Sequence, residues 1–269
     1  MEKPILRSLS IPEVLDKVLQ IYRVNVKTLL MIGAIVTIPS VLIRSLMLVS
    51  LSDTRLTDAV LNIFLSPIMS VALITAISSS YLGGVTSIKE SFSKGIKRYW
   101  TLLGTSLLIG LALVPVVLIY ILLSLVGCGM IMIIFFIPAV AYLSTRWSLA
   151  ATAVVLEKTG VLDSMKRSWS LTEDQFWRVF GSSFAASLLS MLLSTLPSLF
   201  VNYLFTQFIH APLQLTSIIT LVFQQLTIIL ASPLTIGVNV LIYYDLRIRK
   251  EGFDLLFMSE EKIEPQEIS

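Results

Sequence analysis

Acid–base and metal chemistry need titratable side chains held together at fixed spacing, and this 269-residue sequence holds one histidine, His210, and one cysteine, Cys128. His210 stands apart from Asp53 and Asp58, which belong to a different connecting segment. A Walker A loop, a zinc-spaced His or Cys set, a Gly-rich dinucleotide turn and a Gly-x-Ser-x-Gly elbow are all absent. The expectation is a protein that is not an enzyme, with no cofactor, no metal and no disulfide of its own.

The remaining chemical pointers are polar groups inside apolar runs, because burying them in lipid is costly. Arg146 lies 11 residues before Glu157, about 16 Å along an unbroken helix. Its candidate partners are Asp245, backbone carbonyls freed by Pro138 or Pro233, or a lipid phosphate. Gln224, Gln225 and Asn239 join Arg146 and Asp245 as a candidate intramembrane polar site, with a structural pin as the plainer role. Arg44 is expected to snorkel outward from the first apolar run. A separate candidate surface is the cluster Lys89, Lys94, Lys97 and Arg98, opposed only by Glu90 and suited to phospholipid headgroups.

Those residues need elements to position them, and composition says which solvent the elements meet. The chain is 55% hydrophobic and 14% charged with a net charge of +3, which excludes an ordinary soluble domain. A span of the hydrocarbon core needs roughly 20 apolar residues. Six segments qualify: Thr28 to Leu48, Ala59 to Leu82, Trp100 to Val126, Met130 to Leu156, Phe176 to Phe205 and Leu213 to Tyr244. Of the 20 Lys and Arg, 17 fall in alternate connecting segments and the two ends, which by the positive-inside rule places both termini in the cytoplasm of a multi-pass protein of the cell (inner) membrane. No secretory signal precedes the first span, and the sorted charge removes nucleic acid from the list of partners. Membrane lipids are the expected partner, with a protein partner or a second copy as further options.

Each basic segment carries helical patterning ahead of a span. Ser10 and Glu13 are spaced as a capping box before Ile11, Val14, Leu15, Val18, Leu19 and Tyr22 on one face. Ser87 and Glu90 repeat the box before Ile88, Phe92, Ile96 and Tyr99, and Val161, Leu162, Met165 and Trp169 form the third apolar face. These read as amphipathic helices in the inner interface, with Trp100, Trp169 and Trp177 at headgroup level. The spans that follow carry Pro67, Pro138 and Pro233, each ahead of a glycine, Gly84, Gly160 or Gly252. The expected fold is an all-α membrane protein: six transmembrane helices as three hairpins, each preceded by an amphipathic helix. One domain covers residues 1–257, with repeats starting near 10, 87 and 161, and an acidic tail covers 258–269. Gly181, Ser182, Ala185, Ala186 and Ser190 mark a close-packing face in the fifth span, or a dimer face.

Three stretches carry a resemblance: Arg7 to Arg23; Arg146 to Ala150, continuing through Val155 to Glu157 and Phe176 to Gly181; and Tyr243-Tyr-Asp-Leu-Arg-Ile-Arg-Lys-Glu-Gly-Phe-Asp254. Together they resemble the bacterial proteins of the glycerophosphoryl diester phosphodiesterase membrane domain family. Some members join this membrane region to a catalytic domain, for which this chain leaves no room. The resemblance implies a bacterial integral membrane protein without that activity. The leading expectation is a scaffold or accessory module that engages lipid or a partner at its inner face. A transporter or channel built around Arg146 is the alternative, and a lipid-modifying enzyme the third.

Overall fold

The computed structural model describes residues 7–49, 55–84, 86–125, 127, 129–209, 212–253 and 255. Cys128, His210, Asp53 and the acidic tail lie outside them. Among the described residues every regular element is helical, as lipid demands when backbone groups must be satisfied within their own segment. The helices are α1 (Ile11–Val24), α2 (Val26–Val49), α3 (Arg55–Tyr81), α4 (Ile88–Ile96), α5 (Tyr99–Leu125), α6 (Gly129–Trp147), α7 (Ala150–Leu156), α8 (Val161–Thr172), α9 (Phe176–Leu204, ending in a π turn over Phe205–Ile209) and α10 (Leu213–Glu251). Among the described residues six stretches are long and apolar enough to cross a membrane. A short helix, α1, α4 or α8, precedes each pair of long stretches.

The axis of the fold is α10, which packs against α9, α2, α3, α1 and α8. Its second half is buried almost without interruption, from Val238 to Leu246. Around it close Val14, Val18 and Ile21 of α1, Leu29 and Ile32 of α2, and Leu73 and Ile77 of α3. Gly237 permits this: a Cβ there would stand 2.9 Å from Val18 Cγ1. By contrast, α5 beyond Thr105 buries nothing, and Leu111, Leu118, Ile134 and Phe135 of α5 and α6 are exposed. An apolar surface of that kind suits lipid tails.

The short helices show why local signals held in one case and not another. The Ser10–Glu13 box forms, with the Ser10 N–H donating to Glu13 Oε2 at 2.7 Å. Glu13 also takes Arg7 at 2.6 Å. The second box does not form: Glu90 pairs with Lys94 one turn on, while Ser87 caps α4 through its carbonyl, which accepts the Ser91 N–H. The buried positions of α4 are Ser91 and Gly95, whereas Ile96, expected on the apolar face, is 66% exposed. The reason is that α4 runs back along α3, from Thr86 beside Ala76 to Tyr99 beside Phe64. At the crossing a Cβ on Gly95 would meet Val71 Cγ1 at 2.2 Å.

The fourth apolar stretch reaches Leu156 as expected, but as two helices: α6 runs through Pro138 and stops at Trp147. A second helix, α7, begins at Ala150. Ser168 of α8 fills the gap, its hydroxyl donating to the Arg146 carbonyl at 2.6 Å and accepting the Leu149 N–H at 3.2 Å. The break is a tertiary contact with no proline to announce it. Likewise α10 continues through Pro233. The three glycines of the expected repeat do different things. Gly252 ends α10 in the left-handed region at φ 61°, Gly160 caps α8 in an extended conformation, and after α3 the positive φ falls on Gly83.

Candidate functional site

The richest chemistry gathers where α10 ends. In a helix, positions four apart stack on one face, so Asp245 lies under Arg249 and Arg247 under Glu251. Asp245 is 1% exposed. It accepts the Leu9 N–H at 2.7 Å, Arg178 Nε at 2.9 Å and Arg249 Nε at 3.0 Å. Both arginines also donate to the Leu9 carbonyl, Arg249 at 3.1 Å. Both backbone polar groups of Leu9 are thus held, and the segment leading into α1 is tied to α9 and α10.

A second cluster adjoins it. Arg167 of α8 binds Glu157, just past α7, with two parallel hydrogen bonds of 2.8 and 2.7 Å, the fork geometry that makes such pairs strong. It also reaches Glu251 at 2.8 Å. Arg247 closes the square, 3.1 Å from Glu251 and 3.3 Å from Glu157, and its guanidinium sits 4.2 Å from the Phe253 ring centre. The bonds to Glu251 and then Glu157 push the Arg167 pKa above the usual arginine range, so its charge is permanent. Lys250 adds Ser170 O at 2.8 Å and Asp174 at 3.1 Å. Tyr244 shares a 2.7 Å hydrogen bond with Ser78 and packs on Tyr81.

Arg146 is elsewhere, and of its three candidate partners Asp245 is engaged instead by Arg178 and Arg249. The Arg146 guanidinium, in a residue 9% exposed, lies 5.0 to 5.7 Å from the ring centres of Tyr142, Trp169 and Phe176. Its Nε donates to Tyr142 Oη at 3.2 Å, and its Nη1 is buried with no hydrogen-bond partner. The other members of the expected polar site do not converge on it. Gln225 is buried and Gln224 exposed, and both sit about 20 residues before Asp245 on one helix, a distance of about 30 Å. Asn239 accepts from Ser183 of α9 at 3.5 Å. Arg44 is a second correction: it is buried and ion-paired with Asp58 at 2.9 Å, with Asn62 at 3.2 Å, because α3 brings a carboxylate alongside.

Of the basic cluster on α4, Lys89, Lys94 and Lys97 are exposed, and Arg98 reaches the Lys158 carbonyl at 3.5 Å. Exposed Ile96 and Trp100 border it. In α9, Ser182 and Ala186 of the small-residue face are buried, and α10 is the helix that α9 packs against most extensively. Among the described residues no group of three His, Cys, Asp or Glu could hold a metal. Sequence reasoning read Arg167, Arg178, Arg249, Glu157 and Glu251 as topology charges or family motif. The i, i+4 pairs 245/249 and 247/251 were the legible signal.

With this geometry in view, the family described as the membrane domain of glycerophosphoryl diester phosphodiesterase matches residues 127–264, just over half of the chain. The matched stretch carries α6 to α10, hence the Arg146 niche and every charged side chain of the two clusters at the end of α10. No curated protein and no solved structure matches the chain.

Proposed function

The chain belongs to the family of the membrane domain of glycerophosphoryl diester phosphodiesterase, and from that premise we propose that it is a non-catalytic scaffold of the inner membrane that gathers anionic phospholipid on α4, with both termini in the cytoplasm. The observation that carries this reading is the division of labour among its cations. Arg167, Arg178, Arg247 and Arg249 are held by Glu157, Asp245 and Glu251 inside the fold. Lys89 and Lys97 stand exposed on α4, with Lys94 beside its Glu90, next to exposed Ile96 and Trp100. Cations flanked by amphipathic anchors suit an anionic headgroup layer, each contributing about 1 kcal/mol near such a surface. The scatter of the intramembrane polar residues along α10 supports a scaffold over a conduit, since a transport path needs them in one cavity.

The test reconstitutes the full chain in nanodiscs of mixed phosphatidylglycerol and phosphatidylcholine and measures the lipid retained on extraction by native mass spectrometry. The parent chain enriches phosphatidylglycerol, and the triple variant Lys89→Ser, Lys94→Ser, Lys97→Ser loses most of that enrichment while remaining folded. Equal enrichment in both would overturn the reading.

A further inference from the structure

We propose that Arg146 and its aromatic walls form a built site for one phosphate oxyanion, reached from the bilayer beside α6 and α9. The guanidinium of an arginine only 9% exposed is expected to face a carboxylate, because removing an isolated charge from water costs several kcal/mol. Among the described residues Arg146 faces none: its contacts are the Tyr142 hydroxyl and the rings of Tyr142, Trp169 and Phe176. Cation–ring contacts contribute about 0.5–2 kcal/mol each, which holds the guanidinium in place without neutralising it. One buried N–H donor group, Nη1, has no partner. A caged cation with an unmet donor has the chemistry of an anion receptor, and the planar fork of arginine matches a phosphate.

Position points to where that phosphate comes from. Phe176 is the first residue of α9, so the guanidinium over its ring lies at one end of a long apolar helix, where headgroups meet hydrocarbon. Its neighbour Trp177 is 78% exposed, as expected of a tryptophan at that level. Tyr142 is the exposed wall at 39%, and an oxyanion enters past its ring toward the unmet Nη1. From Phe176 a stack of rings continues up α9 through Phe180 and Phe184 at 6.0 and 5.8 Å spacing. That stack offers a track for an acyl chain attached to the bound phosphate. This site shares no residue with the α4 surface.

The experiment uses the full chain carrying the triple lysine variant of α4, so that loss here is not confused with loss there. Native mass spectrometry counts lipid retained after delipidation and re-addition of phosphatidylglycerol, diacylglycerol or inorganic phosphate alone. The expected result is one phosphatidylglycerol per chain, none of the phosphate-free diacylglycerol, and affinity weakened roughly tenfold or more by Arg146→Gln, the scale of one charge-assisted hydrogen bond. Arg146→Lys, with charge but no fork, should fall between. Displacement of the lipid by inorganic phosphate identifies a soluble phosphate source for the same site; resistance to it identifies the lipid. Retention unchanged by Arg146→Gln, or equal retention of diacylglycerol, overturns the proposal. If Arg146→Gln does not fold, a chain with Trp169 as its sole tryptophan decides: a nitroxide on a phospholipid headgroup must quench it more than the same label on a phosphate-free lipid, and equal quenching overturns the assignment.

Discussion

Asp245 shows what a single side chain does in this molecule. A buried carboxylate with two guanidinium partners and a backbone N–H is stable only as a set, because losing one member leaves the others charged and dry. Asp245→Ala should therefore destabilise the fold by about 3–5 kcal/mol, seen as a large drop in thermal unfolding temperature in detergent; a change under 1 kcal/mol would contradict the assigned role. Glu13 yields a pH prediction of opposite visibility. The Ser10 backbone N–H, then the Ser10 side chain and Arg7, hold its carboxyl down to about 2, from the ordinary 4.5. Its contribution is thus complete above about pH 4.5 and fades as pH falls toward 2. The protection of amides at the start of α1, taken relative to the intrinsic exchange rate at each pH, should fall over that window, and Glu13→Gln should abolish the dependence.

At the scale of elements, two contacts decide how helices meet. Ser168→Ala removes the group that serves both sides of the break between α6 and α7, leaving the buried Arg146 carbonyl and Leu149 N–H without it. Stability should fall by about 1–3 kcal/mol, while Ser170→Ala, whose hydroxyl serves its own helix, should change little. Gly95→Ala tests the crossing of α4 on α3. With Val71 Cγ1 only 2.2 Å from the new Cβ, the Val71 side chain or α4 must shift, at about 1–3 kcal/mol, and cross-linking between α3 and α4 should weaken where α4 gives way. Neither contact was legible beforehand. Apolar runs and the Ser10 box are local and were read correctly; the Ser168 bridge joins residues 22 and 19 positions away, and no periodicity encodes that.

For the molecule as a whole, charge sorting and packing address different questions. Sorting speaks of orientation: cysteines placed at Ser52 and Ser93, in a chain with Cys128→Ser, should label from opposite sides of the membrane, and same-side labelling would refute the arrangement. Packing speaks of cohesion, since the end of α10 binds the entry to α1, the end of α3, α8 and the start of α9. Six apolar stretches, their approximate limits and the family were determined by sequence alone, because crossing a bilayer needs a contiguous run of apolar residues and a motif is contiguous by nature. The partners of the charges were decided only by tertiary structure. In sequence Asp245 reads as an acid of a candidate polar site with Arg146, but its partners Leu9 and Arg178 stand 236 and 67 residues away. Which arginine meets it, and which, like Arg146, meets no carboxylate among the described residues, depends on how far each helix is slid and turned against its neighbours.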